Sequence, residues 1–224
     1  MKPHILFPAL SLLIAVFCGN SHAQTYSLGY DQVRYRANPG ETVDVNVILT
    51  EEITGAEVAR LATGGDDGLF AFGASVDFST FTGDTGASFV SWQLAPEFSA
   101  ADAAVGNGLV IGNGEVSFEG VENFGSDSDG EVGVNGVMIS STEFQILLGT
   151  MTFQVGSPGS ETFLALQDHT DPAANPFLFG DGSTPEIGFA RIEDGFSIAA
   201  VPEPGSAAFI VAFGLIGLAR RRKK

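Results

Sequence analysis

Hydrophobic and polar residues alternate along several short stretches of the chain. In segment 41–50 the apolar face consists of Val43, Val45, Val47 and Leu49. In segment 70–78 it consists of Phe70, Phe72, Ala74, Val76 and Phe78, and segment 151–155 repeats the pattern with Met151, Phe153 and Val155. A period of two residues is typical of strands that bury one face. The pattern therefore predicts strands at all three places.

Weaker alternation and turn residues extend this prediction along the chain. Further strands are predicted at 26–35, 87–94, 143–148, 162–166 and 187–198. They are separated by turn sequences such as Asn38-Pro39-Gly40 and the Gly- and Asp-rich segment 64–68. Between residues 24 and 200, no long stretch of Ala, Leu, Glu and Lys occurs at helical spacing. Many short strands with such connections predict an all-β fold, an antiparallel β-sandwich.

The charge of this region is strongly negative. Residues 24–200 contain 26 acidic residues and only four cations, all arginine, so their net charge is −22. Such a surface repels phosphate backbones and anionic lipids, which argues against nucleic acid as a partner. The 177 residues are enough for one domain with its own core.

The N-terminal segment 1–23 has the features of a secretory signal peptide. Lys2 supplies a positive charge, segment 5–17 is apolar, and Ser21-His22-Ala23 is a small-x-small site. We predict cleavage by signal peptidase between Ala23 and Gln24. This cleavage would remove Cys18, the only cysteine, and leave no thiol chemistry in the mature chain.

The C-terminal segment 201–224 has three parts. Pro202-Glu203-Pro204 cannot continue a helix; an uncharged, mostly apolar run, 206–219, follows and is a predicted transmembrane helix; and the chain ends in Arg220, Arg221, Arg222, Lys223 and Lys224. The five cations favour the cytoplasmic side of a membrane. The apolar core of the run, 207–219, would rise only about 20 Å against a hydrocarbon core of about 30 Å, so snorkelling cations or local thinning would be needed to span it.

This order of motif, apolar run and basic stop resembles the PEP-CTERM sorting signal of Gram-negative bacteria. The resemblance implies that an exosortase-like membrane protease cuts near the motif after the protein has been exported as an inner-membrane intermediate. It also implies delivery to the cell surface or extracellular matrix. Bacteria with this signal are associated with exopolysaccharide production, which implies a role in biofilm.

The middle region resembles a cohesin-type domain. The resemblance rests on segments 38–47, 72–78 and 148–155, the last followed by a Ser-Pro-Gly turn. Cohesins are nine-stranded jelly-roll sandwiches related in fold to some carbohydrate-binding modules, and they act as binding proteins. The resemblance implies a jelly-roll sandwich that binds a partner. It carries over no partner-binding residues, and segment 106–136 is longer, more acidic and richer in Gly than the family pattern.

Catalytic patterns are absent from the sequence. His169 is the only histidine after residue 23, no Gly-x-Ser-x-Gly elbow is present, and no phosphate-binding loop occurs. We interpret His169 as a loop residue and Trp92 as a core residue. The chain is therefore expected not to be an enzyme. A pair of carboxylates for polysaccharide cleavage remains an alternative, since their separation is spatial and not sequential.

One acidic segment is a candidate calcium loop. Asp127, Asp129 and Glu131 are closely spaced around Gly130, and carboxylate oxygens are the ligands that calcium prefers. The segment does not fit the EF-hand spacing, and the competing interpretation is a solvated acidic loop. No other cofactor is expected.

Together these observations predict an exported surface protein with three parts: signal peptide 1–23, sandwich 24–200 and sorting signal 201–224. The sandwich is expected to be a structural or adhesive module in biofilm or exopolysaccharide. Two alternatives stay open, a cohesin-like receptor for another secreted protein and a secreted polysaccharide-active enzyme.

Overall fold

The computed structural model describes residues 24–62, 68–82, 85–99, 110–111, 114–122, 133–169 and 177–201. Sixteen strands lie within these ranges: β1 (Gln24–Tyr30), β2 (Arg34–Ala37), β3 (Thr42–Ile53), β4 (Leu69–Asp77), β5 (Phe81–Thr82), β6 (Ser88–Leu94), β7 (Phe98–Ser99), β8 (Val110–Ile111), β9 (Glu115–Glu122), β10 (Val137–Ser140), β11 (Glu143–Gln154), β12 (Glu161–Phe163), β13 (Ala165–Asp168), β14 (Leu178–Phe179), β15 (Ile187–Phe189) and β16 (Ser197–Ala200). Short 3-10 turns occupy Arg60–Ala62 and Ile192–Asp194.

A six-stranded front sheet is built around the two longest strands. Its order is β10-β11-β3-β1-β15, and β6 pairs with the second half of β11 on the same side as β10. β3 and β11 are antiparallel. Glu52 opposes Glu143 at one end of the pair and Thr42 opposes Gln154 at the other, with one register shift near Leu147. This pair forms the centre of the front sheet.

A back sheet and a smaller side sheet complete the fold. The back sheet has the order β13-β4-β9-β7, with β14 on β4 and β8 on β9, and the side sheet has the order β2-β16-β12-β5. Most pairs are antiparallel, but β1 with β15 and β2 with β16 are parallel. The predicted all-β sandwich is confirmed, with these two parallel pairs as additions to the antiparallel arrangement.

Aromatic side chains join the front and back sheets across the core. Trp92 on β6 lies 4.6 Å from Phe118 on β9, measured between ring centroids. Tyr26 on β1 lies 5.3 Å from Phe179 on β14. Such tilted contacts add to the stabilisation from burial. The core therefore lies between the two large sheets, and the interpretation of Trp92 as a core residue is confirmed by its 5% exposure.

The three clearest alternating segments form strands as predicted. All but the first residue of segment 41–50 lies in β3, and all but the last residue of segment 70–78 lies in β4. Segments 143–148 and 151–154 merge into the continuous β11. Predicted strand 26–35 is instead divided into β1 and β2. The chain bends at Asp31, whose Oδ1 accepts hydrogen bonds from the Asn46 amide at 3.2 Å and from the Tyr35 hydroxyl.

Three other segments differ more strongly from the prediction. Predicted strand 162–166 is divided at Leu164 into β12 of the side sheet and β13 of the back sheet. Segment 187–198 contains β15, a 3-10 turn and β16, because Gly195 adopts a left-handed conformation with φ 78° and ends the turn. Segment 106–136, which has no strand in the prediction, contains β9 in the middle of the back sheet. Val116 and Phe118 of β9 are fully buried.

Both terminal predictions fall outside the described residues. The signal peptide 1–23, the sorting motif Pro202-Glu203-Pro204 and the basic stop 220–224 are all in this group. Among the residues that the structure describes, no helix has the length and apolar character to cross a membrane, and the predicted helix 206–219 is not among them.

Candidate functional site

The solvent-facing side of β1, β3, β6 and β11 in the front sheet is mostly polar, with Ile48 and Leu147 as apolar members. Because side chains alternate along a strand, the residues between the buried positions of β3 and β11 point outward. We call this surface the outer face; it consists of Thr25 and Ser27 on β1, Asp44, Asn46, Ile48, Thr50 and Glu52 on β3, Ser91 and Gln93 on β6, and Glu143, Gln145, Leu147, Thr150 and Thr152 on β11. It carries no aromatic residue.

Hydrogen bonds between neighbouring strands hold several outer-face side chains in place. The Thr150 hydroxyl donates to Asn46 Oδ1 at 2.8 Å, and the Thr152 hydroxyl donates to Asp44 Oδ1 at 2.8 Å. Asn46 Nδ2 in turn donates to Asp31 Oδ2 at 3.1 Å. Each hydroxyl oxygen and each carboxylate keeps free lone pairs, so these rows can accept further hydrogen bonds from a ligand.

The rows have a regular spacing that a polymer can follow. Neighbouring strands lie about 4.8 Å apart, so side chains that oppose each other across β6, β11 and β3 recur at this interval. Gln93 opposes Thr150, which opposes Asn46; Ser91 opposes Thr152, which opposes Asp44. The outer face thus presents two parallel rows of amide, hydroxyl and carboxylate groups.

A groove of about 610 Å³ borders this surface at the β1 and β15 end of the front sheet. Its polar lining includes Gln24, Thr25, Gln167, Asp168, Glu186 and Arg191. Two carboxylates and one guanidinium therefore share the groove. A second hollow of about 500 Å³ lies at the other end of the sheet and is lined by small polar residues such as Thr85, Ser88 and Ser157.

A buried carboxylate interrupts the apolar inner row of β3. Glu51 has no exposed surface, although Val45, Val47 and Leu49 precede it on the same face. Its Oε1 accepts hydrogen bonds from the Tyr26 hydroxyl at 3.1 Å and the Arg60 amide at 2.9 Å. Its Oε2 accepts one from the Leu61 amide at 2.8 Å. Glu51 therefore fixes the 3-10 turn after β3 to the edge of the core.

The side chain of Arg60 fastens the same turn to the loop after β14. Its guanidinium lies 4.2 Å above the centre of the Phe179 ring and donates to the Ser183 hydroxyl at 2.7 Å. It also forms an ion pair with Asp181 at 2.6 Å. Hydrogen bonds from the hydroxyl and the amide of Ser183, together with Arg60, lower the pKa of Asp181 to about 2. These contacts are structural, because every group in them is engaged within the protein.

Sequence reasoning missed Glu51 and found none of the outer-face rows. The signal for Glu51 was an acidic residue in phase with the apolar positions of β3, but a carboxylate at the end of an amphipathic strand is normally solvated. The rows depend on the register between β3, β6 and β11, and a single sequence does not contain that register.

The other residues singled out by the sequence have varied positions. Asp127, Asp129 and Glu131 lie outside the described residues, so the calcium loop stays a prediction. Within the described ranges, no group of three or more His, Cys, Asp or Glu side chains is placed to hold a metal ion. His169 directly follows β13 and lies outside any strand, as predicted for a loop residue, but it is partly buried and not fully solvated.

Comparison with known proteins identifies the C-terminal segment. Residues 200–223 match the family described as the PEP-CTERM protein-sorting motif. No curated protein matches the chain. A solved structure similar to this fold is a chain from the crystal structure of a complex between CaDoc0917 and CaCohA2 at pH 5.5, with a TM-score of 0.43 and 11% identity, covering 80% of this chain and 100% of that chain.

The predicted sorting signal is thus confirmed, and it includes Pro202, Glu203 and Pro204. A PEP-CTERM motif is the signal of an exported protein that an exosortase processes. The chain is directed to the cell envelope or surface through a membrane-anchored intermediate.

Proposed function

We propose that the sandwich is a non-enzymatic matrix module that is displayed at the cell surface and binds extracellular polysaccharide through its outer face. The observation that carries the proposal is the pair of ordered polar rows on β6, β11 and β3. Sugars are recognised through many hydroxyl hydrogen bonds, and prepositioned donors and acceptors reduce the entropy lost on binding. The sorting motif supports the location, because it directs the chain to the surface where such polymers lie.

The charge of the domain favours a neutral glycan as the ligand. With a net charge of −22 over residues 24–200, the surface repels uronic acids, sulfated sugars and nucleic acid. The outer face carries Asp44, Glu52 and Glu143, which accept hydrogen bonds from sugar hydroxyls. Binding depends on hydrogen bonding and not on stacking, because Trp92 is buried in the core.

A binding experiment with matched variants tests this proposal. The exported protein is incubated with extracellular material of its host, with and without calcium, and bound glycans are quantified by sugar analysis. The double variant Thr150→Val, Thr152→Val removes two outer-face hydroxyls while keeping the side-chain shape. At about 1 kcal/mol for each lost hydrogen bond, glycan retention should fall about tenfold or more.

The control is the double variant Thr80→Val, Thr82→Val, which removes two exposed hydroxyls away from the outer face and from both hollows. It should retain glycan like the unmodified protein. Equal retention by both double variants, or no glycan capture at all, would overturn the proposal. Capture of one secreted protein in place of glycan would support the cohesin-like receptor.

The groove beside β15 favours one alternative function, a polysaccharide-active enzyme. Asp168 and Glu186 line the same groove, and a pair of carboxylates is what glycoside hydrolysis requires. Release of reducing sugar from host polysaccharide, lost in both Asp168→Asn and Glu186→Gln, would establish this alternative. Unchanged glycan binding by these two variants, without sugar release, supports the matrix module.

The processing step has its own test. Replacing Pro202, Glu203 and Pro204 should leave uncleaved protein in the inner membrane, because the motif is the expected recognition site. Neutral residues at 220–224 should weaken retention of the tail in the cytoplasm. Cell fractionation and the mass of the protein report both effects, and unchanged release of the motif variant would contradict the assigned site.

A further inference from the structure

β10 is an edge strand with an unusual exposed surface. It ends the order of the front sheet, and no strand among the described residues pairs with its other side. Three consecutive apolar side chains on it face solvent: Val137 is 69% exposed, Met138 65% and Ile139 54%. Single exposed apolar residues are common on protein surfaces, but three in succession on an open edge are not.

The same strand lies in a region without charge. Segment 133–142 has no charged residue, although residues 24–200 contain 26 acidic ones. Open edges are normally protected by charge, proline or short length. β2 at the edge of the side sheet carries Arg34 and Arg36, and β15 at the other edge of the front sheet has three residues and follows Glu186. β10 is also short, with four residues, and has a register shift near Ile139, but unlike the other two edges it has no charged residue on it or directly before it, and it has no proline.

We propose that β10 is a self-association edge at which two copies of this chain pair antiparallel about a two-fold axis. The geometry makes the interface isologous, so the apolar residues of one copy meet the same residues of the other. Backbone groups on the open side of β10 would gain hydrogen-bond partners, and the exposed apolar side chains would lose contact with water. The two front sheets would join into one continuous sheet.

Charge explains why a second copy is accommodated at this edge. Two domains with a net charge of −22 repel each other over most orientations. In the paired arrangement the nearest acidic residue on the neighbouring strand is Glu143 of β11. The two Glu143 residues would be separated by three strand spacings, about 14 Å, which exceeds the screening length of about 8 Å at physiological ionic strength. β6, which continues this side of the front sheet, is also uncharged.

Sedimentation velocity of the exported protein over a micromolar to millimolar range tests the inference. We expect a monomer–dimer equilibrium that shifts toward dimer as ionic strength rises, because salt screens the repulsion between the acidic domains. Met138→Glu would place like charges in the interface without changing a buried position. It should weaken dimerisation about a hundredfold or more, since an unpaired charge at a desolvated edge is costly.

Val33→Glu is the matched control, because Val33 is 60% exposed and lies outside the edge. It adds the same charge and should leave the dimer unchanged. Hydrogen exchange on the unmodified protein gives a second measurement, with slower exchange of the β10 amides at high protein concentration. A protein that stays monomeric at all concentrations and ionic strengths overturns the inference, as does a dimer that is equally sensitive to both substitutions or lacks β10 protection.

The outcome is distinguishable from that of the glycan experiment, because β10 variants leave the outer-face rows intact. Where both proposals hold, the dimer has a further property. A two-fold axis perpendicular to the joined sheet places both outer faces on the same side, so one dimer would bind a single polymer at two places and gain avidity.

Discussion

On β3 and β11, inward and outward side chains come from alternate positions of the same two 12-residue strands. The inner positions, such as Val47, Met151 and Phe153, are fully buried and apolar. The outer positions, such as Asn46 and Thr150, are polar and bonded to one another. Folding constrains the inner face, because any polar group there must find a partner. It constrains the outer face far less, because polar groups there can be hydrogen-bonded by water.

Glu51 shows under which condition a charged residue is tolerated on the inner face. It has the polarity of an outer residue in an inner position, and it is tolerated because three donors surround its two oxygens. The two faces therefore differ in composition and also in how much a substitution lowers the free energy of unfolding. Substitutions at paired positions measure that difference directly.

The largest contrast is expected between adjacent residues of β11. Phe153 is fully buried, and its ring lies 5.3 Å from that of Phe78 and 5.8 Å from that of Phe89. Phe153→Ala should lower the free energy of unfolding by about 4 kcal/mol, since it leaves a cavity in the core. Thr152→Ala on the outer face should lower it by about 0.5 kcal/mol. Urea denaturation measures both, and equal losses would show that the two faces do not differ as described.

The second contrast concerns the buried carboxylate. Glu51→Ala removes the acceptor of three hydrogen bonds and should lower the free energy of unfolding by about 3 kcal/mol, because buried donors lose their partners. Glu51→Gln keeps one acceptor oxygen and should cost less. Hydrogen exchange of the Arg60 and Leu61 amides should accelerate in Glu51→Ala. Unchanged exchange at these two amides would mean that Glu51 does not hold the turn.

Gly149 tests how closely the inner face is packed. A Cβ at this position would lie 2.5 Å from the carbonyl oxygen of Gln93 and closer still to the ring of Trp92. Gly149→Ala should lower the free energy of unfolding by about 2 kcal/mol and displace the ring. The fluorescence of Trp92, the single tryptophan, reports the displacement. An unshifted emission spectrum with unchanged stability would contradict this packing.

The smallest effect is expected at the exposed carboxylate that fastens Arg60. The pKa of Asp181 is lowered to about 2 by Ser183 and Arg60. A pKa lower in the folded state stabilises the protein above the unfolded pKa of about 4, and this contribution is lost as the pH falls from 4 through 2. Asp181→Asn should make the melting temperature less dependent on pH in this range. An identical pH profile for the variant would show that Asp181 contributes nothing there.

The strands that could be predicted from the sequence are those in which every second residue is apolar. β3, β4 and β11 follow from alternation, and burial of Trp92 follows from its mixed neighbours. β9 was missed because its alternation of Val116 and Phe118 with Glu115, Ser117 and Glu119 lies in a segment whose Gly and acidic content suggests a loop. In this segment the period of two residues is a better signal than composition, because burial of every second residue is what stabilises a strand.

The candidate site was less predictable than the fold. Its polar residues are individually ordinary, and only the pairing of β11 with β3 and β6 brings Gln93, Thr150 and Asn46 into one row. The apolar edge of β10 has a visible signal in the uncharged segment 133–142, but its exposure depends on the order of strands in the front sheet. The sorting motif, in contrast, could be predicted from the sequence, because its residues are consecutive and do not depend on strand pairing.

The position of β16 has a mechanical consequence for a protein held by its C-terminal segment. β16 lies between β2 and β12, and the amide of Val201 still donates to the carbonyl of Ala37 at 2.9 Å, one residue before the sorting motif begins. Tension applied through the following residues would pull along the axis of β16. The hydrogen bonds on both sides of the strand would then be loaded in shear and would share the force, whereas a strand peeled from an edge loses them one at a time. A sandwich held at this end would therefore resist flow and drag through many hydrogen bonds at once.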